Sequence, residues 1–507
     1  MLYSQPVVAK KTVAVIGAGP VGISAAYALV NNGFSVVLIE AGHFSGESDH
    51  LTIDNYIFES RSLMPHGCHK IGGGANYWIG RIGEFLPFDF ENLSADNHNC
   101  WPLNFTELEK YYKVLFEYLG EDHRRDQTII QEDCKKYLKL LPENLDFRLI
   151  RYGKKDFFLG TLEFLLQQKM FQIYESTLCL KIGLEKENDL EDRYVLNLKK
   201  NNHNFTKKVD KVIVACGALE SPRLLLSSHE ILSDQVVNNI GKGLMEHFDG
   251  FVAKAHWNRK THRDLLPNIV LNRFRTLGSS RIGLGLKLSE EIRKNESLIN
   301  LHLEFVPETR SYCFDPILRP KNNVNKTLYL VERVVKKIFS LFMNQLRVLN
   351  GKRVYSVWVK AEEISNKHSL VSVTKESEQS HKIVYNHKVS NESRSKFIES
   401  LNRIQYELNR QKVCELKFDR DVVNQTSKIF DAINWHPMGT LKMALSEQSG
   451  VCDENLKVFG TKGIYITDAS VFPTGSNANP TSTAIALAFR LADHLLSESL
   501  KTDVGYL

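Results

Sequence analysis

Four groups of residues in this 507-residue chain have types and spacings that could do chemistry. The first is Gly17-Ala18-Gly19-Pro20-Val21-Gly22, with Glu40 lying 18 residues past the last glycine. Gly17 permits a tight turn, Gly19 lets backbone approach a pyrophosphate, and Gly22 lets a helix lie close on a strand; an acid at this distance can accept hydrogen bonds from an adenosine ribose. The second is Ile71-Gly72-Gly73-Gly74-Ala75-Asn76-Tyr77-Trp78. Consecutive glycines mark backbone that passes close to another group, and Tyr77 and Trp78 directly behind them suit a packed wall beside a flat ligand. The third is His436, followed by Pro437-Met438-Gly439-Thr440. A neutral imidazole can take a proton near pH 7, although a lone histidine more often serves structure. The fourth is Asp468-Ala469, where the acid ends the apolar run Ile464–Thr467 and suits hydrogen bonding to a ribityl chain or to N–H groups.

The elements that must position these groups follow from periodicity. Thr12–Ile16 reads as a buried strand, Ile23–Asn32 as a helix closed by Gly33, and Phe34–Ile39 as a second strand ending on Glu40. This strand–helix–strand unit puts a helix N-terminus, with its free N–H groups, against phosphate. Taken alone it fits FAD and NAD equally. Asp210–Ala215, Cys216-Gly217-Ala218 and Leu219–Ser227 read as a second strand, small-residue turn and helix, hence a second backbone approach to the cofactor. After Asp468 a small-residue loop leads through Asn479-Pro480-Thr481 into an Ala-rich helix, Ala484–Leu496. Pro480 suits the helix start, Thr481 or Thr483 can cap it, and its N-terminus favours negative charge.

The remaining elements are scaffold. A helix starts near Phe105, capped by Asn104 or Thr106, and its aromatic residues belong to a core. Residues 145–200 read as short alternating strands with one helix at about 160–169. Arg281–Leu288 and Arg353–Lys360 alternate in polarity, which places strands in 250–310 and 351–390 in a sheet separate from the nucleotide-binding one. Ser393–Arg410 reads as a helix. Lys326–Leu349 is a long helical pattern whose non-apolar side carries Arg333, Lys336, Lys337 and Arg347. It reads as a helix packed on the sheet, with a membrane-surface or partner-docking helix as the alternative.

Composition bounds the function. Hydrophobic content of 43% and charge of 24% are those of an ordinary globular protein. A net charge of +6, without a basic tract interleaved with aromatics, argues against nucleic acid. Eight scattered cysteines, with no CxxC pair, read as reduced thiols and not as metal ligands. With no apolar leader at the N-terminus and no spanning apolar run, the expected setting is cytoplasmic, with a peripheral membrane or protein contact through 326–349 left open.

Taken together the motifs resemble the glucose–methanol–choline (GMC) family of FAD-dependent oxidoreductases. The resemblance runs from the GAGPVG and IEAG stretches through GGGANYW, WPLNFTELEKYY, VIVACGALESPRLLLSS and NNIGKGLMEH. It continues through HPMGT to YITDASVFPTGSNANPTSTAIALAFRLADHL, and in 255–430 it holds by general pattern. HPMGT and its spacing look most like the branch of pyranose oxidases and sugar or polyol dehydrogenases.

The resemblance implies an α/β fold with a Rossmann-like FAD domain built from 8–95, 160–250 and 430–502. It also implies an α+β substrate domain with an antiparallel sheet, from 96–159 and 251–429. It implies that His436 removes the proton of a substrate hydroxyl while Asn479 hydrogen-bonds the same oxygen, with hydride passing to flavin N5. It places Gly17, Gly19, Pro20, Gly22, Glu40 and Ala41 at the ADP half of FAD and Gly73, Gly74, Asn76, Tyr77 and Trp78 along the isoalloxazine. Leu180, Ala215 and Gly217 would also contact the cofactor, with Asp468 and Ala469 near the pyrophosphate and ribityl, and Asn479, Pro480 and Thr481 at the pyrimidine edge.

Some sugar oxidases of the family tether FAD through a histidine just before this tryptophan. Tyr77 stands there, so non-covalent FAD is expected. The implied substrate is a small alcohol, sugar, polyol or glycoside, with oxygen, a quinone or a redox protein all open as electron acceptor. A redox-silent flavin lyase and a non-catalytic FAD-fold partner-binding protein are the rival expectations.

Overall fold

The computed structural model describes residues 11–44, 56–58, 69–78, 80–91, 100–120, 143–153, 157–186, 192–258, 275–277, 280–307, 352–377, 380–430 and 436–504. The helical pattern at 326–349 lies outside them.

Thr12–Ile16 and Ser35–Ile39 are β-rich apolar runs buried on both faces, as strands of a parallel sheet covered by helices must be. They pair in parallel with each other and, on either side, with Lys211–Val214 and Phe171–Tyr174. Ile464–Ile466 completes a five-stranded parallel sheet. The helix between the first two strands is Pro20–Asn31, with proline at its first turn, where the missing N–H costs nothing. It packs against the C-terminal helix Pro480–Val504. Three segments distant in sequence therefore end side by side at one edge of this sheet: the turns after Ile16, after Val214 and after Ile466.

The helix Phe105–Tyr118 begins where the sequence puts it. Asn104 is its cap, accepting from the Glu107 N–H while Glu107 reaches back to the Asn104 N–H. Thr106 instead donates to the Asn104 side chain. The buried face of this helix (Leu108, Tyr112, Leu115, Phe116) joins the core of the parallel sheet, so this part of 96–159 packs on the nucleotide fold and not on the second sheet. The Tyr112 hydroxyl anchors it, lying 2.8 Å from Thr483 at the start of the C-terminal helix.

The second core is built on an eight-stranded sheet, antiparallel at each pairing. Period-two alternation decides what its faces carry. Val357, Val359 and Ala361 of strand Lys352–Ala361, and Leu301, Leu303 and Phe305 of strand Leu301–Pro307, lie on the apolar face. There they pack with Phe397, Leu401, Ile404 and Leu408 of helix Asn391–Arg410. The alternate residues Trp358, Lys360, His302 and Glu304 are left for the opposite face. Residues 370–377 and 380–386 do not extend this sheet, as the reading of 351–390 expected. They form a hairpin paired with Tyr56–Phe58 in a three-stranded sheet of its own. The chain leaves the large sheet at Glu362 and is re-anchored where the Val371 N–H donates to Gly241.

Cys100, Cys179, Cys216, Cys414 and Cys452 form no disulfide among the described residues. Among the described residues no helix is long and apolar enough to cross a membrane, and no cluster of ligating side chains suits a metal.

Candidate active site

The glycine turn is built as its spacing requires. Gly17 has φ +104°, and a Cβ there would lie 2.5 Å from the Ala215 carbonyl oxygen, so the first turn touches the second. A Cβ on Gly22 would lie 1.9 Å from the Gly17 carbonyl oxygen. Gly19 is different: a Cβ there would meet nothing within 4 Å. It is the N-cap of helix Pro20–Asn31, and no side chain caps that helix. Glu40 is buried, and its carboxylate accepts from the Ala18 N–H (2.7 Å) and from the Gly42 N–H (2.8 Å), on either side of Ala41. Burial pushes its pKa up, against these hydrogen bonds.

The glycine loop closes directly on this turn. The Gly72 N–H donates to the Ala18 carbonyl, and a Cβ on Gly73 would come within 2.9 Å of Gly19 Cα. Gly74 is exposed. Asn76 staples the loop by donating to the Ile71 and Gly73 carbonyls. The two aromatics do not form a wall together. Tyr77 is 55% exposed, while Trp78 donates to the Arg81 carbonyl and packs on the buried Phe158 ring.

Asp468 joins the other two turns. It accepts from the Gly217 N–H (2.9 Å), the Ser221 hydroxyl (2.6 Å) and the Ser470 N–H (2.8 Å), which brings Ala215, Gly217 and Ala469 to one place. Leu180 sits at the bulge of strand Thr177–Lys186, beside Cys179, whose carbonyl accepts from Arg223. The residues present fit a dinucleotide flavin. An uncapped helix N-terminus faces open space at Gly19. Thr467 Oγ1 and both polar side-chain atoms of Asn477 are buried without a partner among the described residues. Such atoms are costly to leave unpaired.

His436 and Asn479 meet although 43 residues separate them: Asn479 Nδ2 is 3.0 Å from His436 Nε2. The His436 backbone N–H donates to Glu246 (2.9 Å), and Met438 pairs with Met245, so the segment just before strand Phe248–Asn258 sets the histidine. Asn479 stands just before Pro480, at the start of the helix, yet its carboxamide turns away from the helix. Its Oδ1 accepts from Lys360 Nζ at 2.7 Å. Neither Thr481 nor Thr483 is the cap; Thr483 bonds Tyr112 instead.

The polar face of the eight-stranded sheet looks onto this pair. Lys360 is 1% exposed and lies opposite Asp249, 3.8 Å away. Trp358 also donates to Asp249. Arg81 is paired with Glu304, which also accepts from His302 (3.2 Å). The His247 ring lies 4.9 Å from that of His436 and bonds the Ser476 carbonyl.

Burial, then the charges of Lys360 and its neighbours, hold His436 well below the ordinary histidine value. Burial brings Lys360 down to about 8, against the pull of Asp249. Burial pushes Glu304 up, but the Arg81 guanidinium overcomes it and holds the carboxyl at about 2. The sequence reading found His436 and Asn479 but not Lys360, Arg81, Glu304, His302 or His247. Period-two alternation is the available signal for Lys360 in 353–360 and for His302 and Glu304 in 301–305; Arg81 and His247 have no comparable signal.

A buried carboxyl near the site gives a test of this electrostatic arrangement. Burial raises Glu362 to about 7, against Arg293 at 3.7 Å. A carboxyl whose folded pKa exceeds its unfolded value destabilises the fold as pH rises from the unfolded to the folded pKa. Stability should therefore fall between about pH 4.5 and 7 by on the order of 3 kcal/mol from this group. Glu362→Gln should flatten that slope in melting curves taken across the window.

Comparison with known proteins bears on both ends of this site. Residues 366–488 match the family model described as GMC oxidoreductase, and residues 12–52 match FAD dependent oxidoreductase. A dehydrogenase of Armillaria gallica is 47% identical over 58 residues, 11% of this chain and 9% of that protein. C-glycoside 3-oxidase of Microbacterium trichothecenolyticum is 38% identical over 64 residues, 12% of each chain. The 6'''-hydroxyparomomycin C oxidase of Streptomyces lividus is 31% identical over 125 residues, 21% of this chain and 22% of that one. The matched stretches thus span less than a quarter of these relatives. In fold the chain is similar to pyridoxine 4-oxidase from Mesorbium loti (TM-score 0.51, 15% identity, 96% of this chain and 99% of that one). It is also similar to an FAD-dependent oxidoreductase from Chaetomium thermophilum (TM-score 0.54, 13% identity, with the same coverage).

Proposed function

We propose, from the match of residues 366–488 to the GMC oxidoreductase model and of residues 12–52 to FAD dependent oxidoreductase, that this chain is an FAD enzyme of that family and oxidises a hydroxyl of a sugar, polyol or glycoside-like molecule. The observation that carries the reading is the 3.0 Å contact between Asn479 Nδ2 and His436 Nε2, set against a buried charged sheet face. A donor that already faces a basic lone pair marks the place of an alcohol oxygen. The hydroxyl would enter between the two side chains, its proton going to His436 Nε2 and its oxygen held by Asn479 Nδ2. When bound, FAD supplies the acceptor for the hydride that leaves the carbinol carbon. Gly17, Gly19 and Gly22 would seat its pyrophosphate, and Glu40 and Asp468 would order the turns around it. With Tyr77 where a tethering histidine would stand, the cofactor is held without a covalent bond.

The substrate class follows from the wall opposite His436. Lys360, Asp249, Arg81, Glu304 and His302 are buried or nearly so. Charged groups of this kind can exchange charge-assisted hydrogen bonds with several hydroxyls of one molecule, which a simple aliphatic alcohol does not offer.

The test is the visible spectrum of the purified protein under anaerobic conditions, before and after a panel of sugars, glycosides and simple alcohols. Bleaching by a polyhydroxylated compound and not by simple aliphatic alcohols is the expected result; a flavin bleached only by dithionite would remove the reading. Acid precipitation should release all of the yellow colour to the supernatant, and colour retained in the pellet would contradict the non-covalent assignment. Because His436 stays neutral well below its usual titration, kcat/KM should remain flat as pH falls through 6.5. An acid limb centred near 6.5 would contradict it.

A further inference from the structure

The Lys360–Asn479–His436 chain contains more than a base and its partner. An ammonium has donors only. Lys360 Nζ, 2.7 Å from the Asn479 side chain, must therefore face Oδ1, and this turns Nδ2 toward His436. The carboxamide turned over would set its NH2 against the ammonium. With Nδ2 donating, His436 Nε2 must accept, so the ring proton sits on Nδ1, which is buried and has no partner among the described residues. Among the described residues nothing else on that ring fixes the tautomer. Lys360 comes from the other domain, where it lies across the antiparallel pair from Asp249. The charged groups that act on it are Asp249, Arg81, Glu304 and Glu246.

We propose that Lys360 is a positioning residue: its ammonium sets the Asn479 carboxamide and, through it, the tautomer of His436, so that Nε2 carries the lone pair that takes the substrate proton. This rests on His436 being the base. Without Lys360 the carboxamide can turn, its oxygen can accept from Nε2–H, and the proton then occupies the atom that should receive one. The substrate-domain sheet thereby arms a base that belongs to the nucleotide fold, and the competent tautomer exists only when the two are docked.

The experiment is NMR on FAD-loaded protein carrying 15N-labelled histidine, with the His436 signals identified by their loss in His436→Asn. Long-range proton–nitrogen spectra of the parent should show one tautomer, with Nδ1 protonated and Nε2 bare. Lys360→Arg should keep it. Lys360→Met should give a mixture or the Nε2–H form. A single Nδ1–H tautomer in a folded, flavin-loaded Lys360→Met protein overturns the proposal. If Lys360→Met does not fold, because Asp249 is left as a buried unpaired charge, the double variant Lys360→Met/Asp249→Asn removes that charge and carries the same expectation. The tautomer is read without turnover. A His436→Ala protein with parental activity would sink the base assignment while leaving the tautomer result standing, so the two failures are distinguishable.

Discussion

His436→Ala should lose turnover by on the order of a hundredfold to ten-thousandfold while binding FAD as the parent does. The size follows from what the hydroxyl loses. Hydride leaves a carbinol carbon readily only if the oxygen sheds its proton. Among the described residues His436 Nε2 is the lone pair that Asn479 already marks. The ring makes no contact with the glycine turn at 17–22 in the hydrogen-bond network, so cofactor retention should not follow activity down. Asn479→Ala should cost less, about tenfold to a hundredfold, the worth of one hydrogen bond to an oxygen that becomes charged. Measured turnover of His436→Ala within a few-fold of the parent would remove the histidine from the chemistry. A parallel loss of flavin absorbance would mean that the residue holds the fold instead.

The pH behaviour bears on the same assignment. A base buried beside Lys360 is kept neutral, which preserves its lone pair in acid but makes the protonated form costly to produce. The cost is expected to be met only once an oxyanion forms beside the imidazolium, so the stabilisation belongs to the transition state and not to the resting enzyme.

How much of this was legible in the sequence divides along a physical line. The nucleotide-binding turn could be read because its requirements are local. The positive φ of Gly17, the approach of Gly22 to the Gly17 carbonyl and the bonds of Glu40 to Ala18 and Gly42 are all set within a short stretch, and the strands flanking them are continuous apolar runs. His436 and Asn479 were found because their neighbouring motifs resemble a family, not because anything in 431–443 requires a base. Lys360 was hidden for a different reason. Alternation placed it on the polar face of a strand, but strand order and register decide what that face meets, and these are set by pairings more than 100 residues apart, such as Asp249 with Lys360. The helix Phe105–Tyr118 shows the same limit from the other side: its start is local and readable, with Asn104 or Thr106 to cap it, while the core it joins depends on Thr483, 371 residues from Tyr112.

The two glycines that flank Pro20-Val21 should separate folding from cofactor binding. Gly22→Val should fail to fold or melt far below the parent, because its first side-chain carbon would sit 1.9 Å from the Gly17 carbonyl oxygen, and neither helix nor strand can yield. Gly19→Val should fold. Its φ of −77° is open to any residue, and a Cβ there meets no atom of the described residues within 4 Å. That open space adjoins the uncapped N-terminus of the helix, where a pyrophosphate would lie, so the added isopropyl group would occupy the ligand's place and not the protein's. The expected protein is colourless, has the parent's circular dichroism, and cannot be reconstituted with FAD. Retention of a full complement of flavin by Gly19→Val would move the phosphate site away from this turn. A Gly19→Val protein that unfolds along with Gly22→Val would mean that the turn is packed more tightly than the free space at Gly19 indicates. The contrast is informative because the substitution is the same and the positions are three residues apart, so only what each glycine faces, backbone or ligand, can set the outcomes apart.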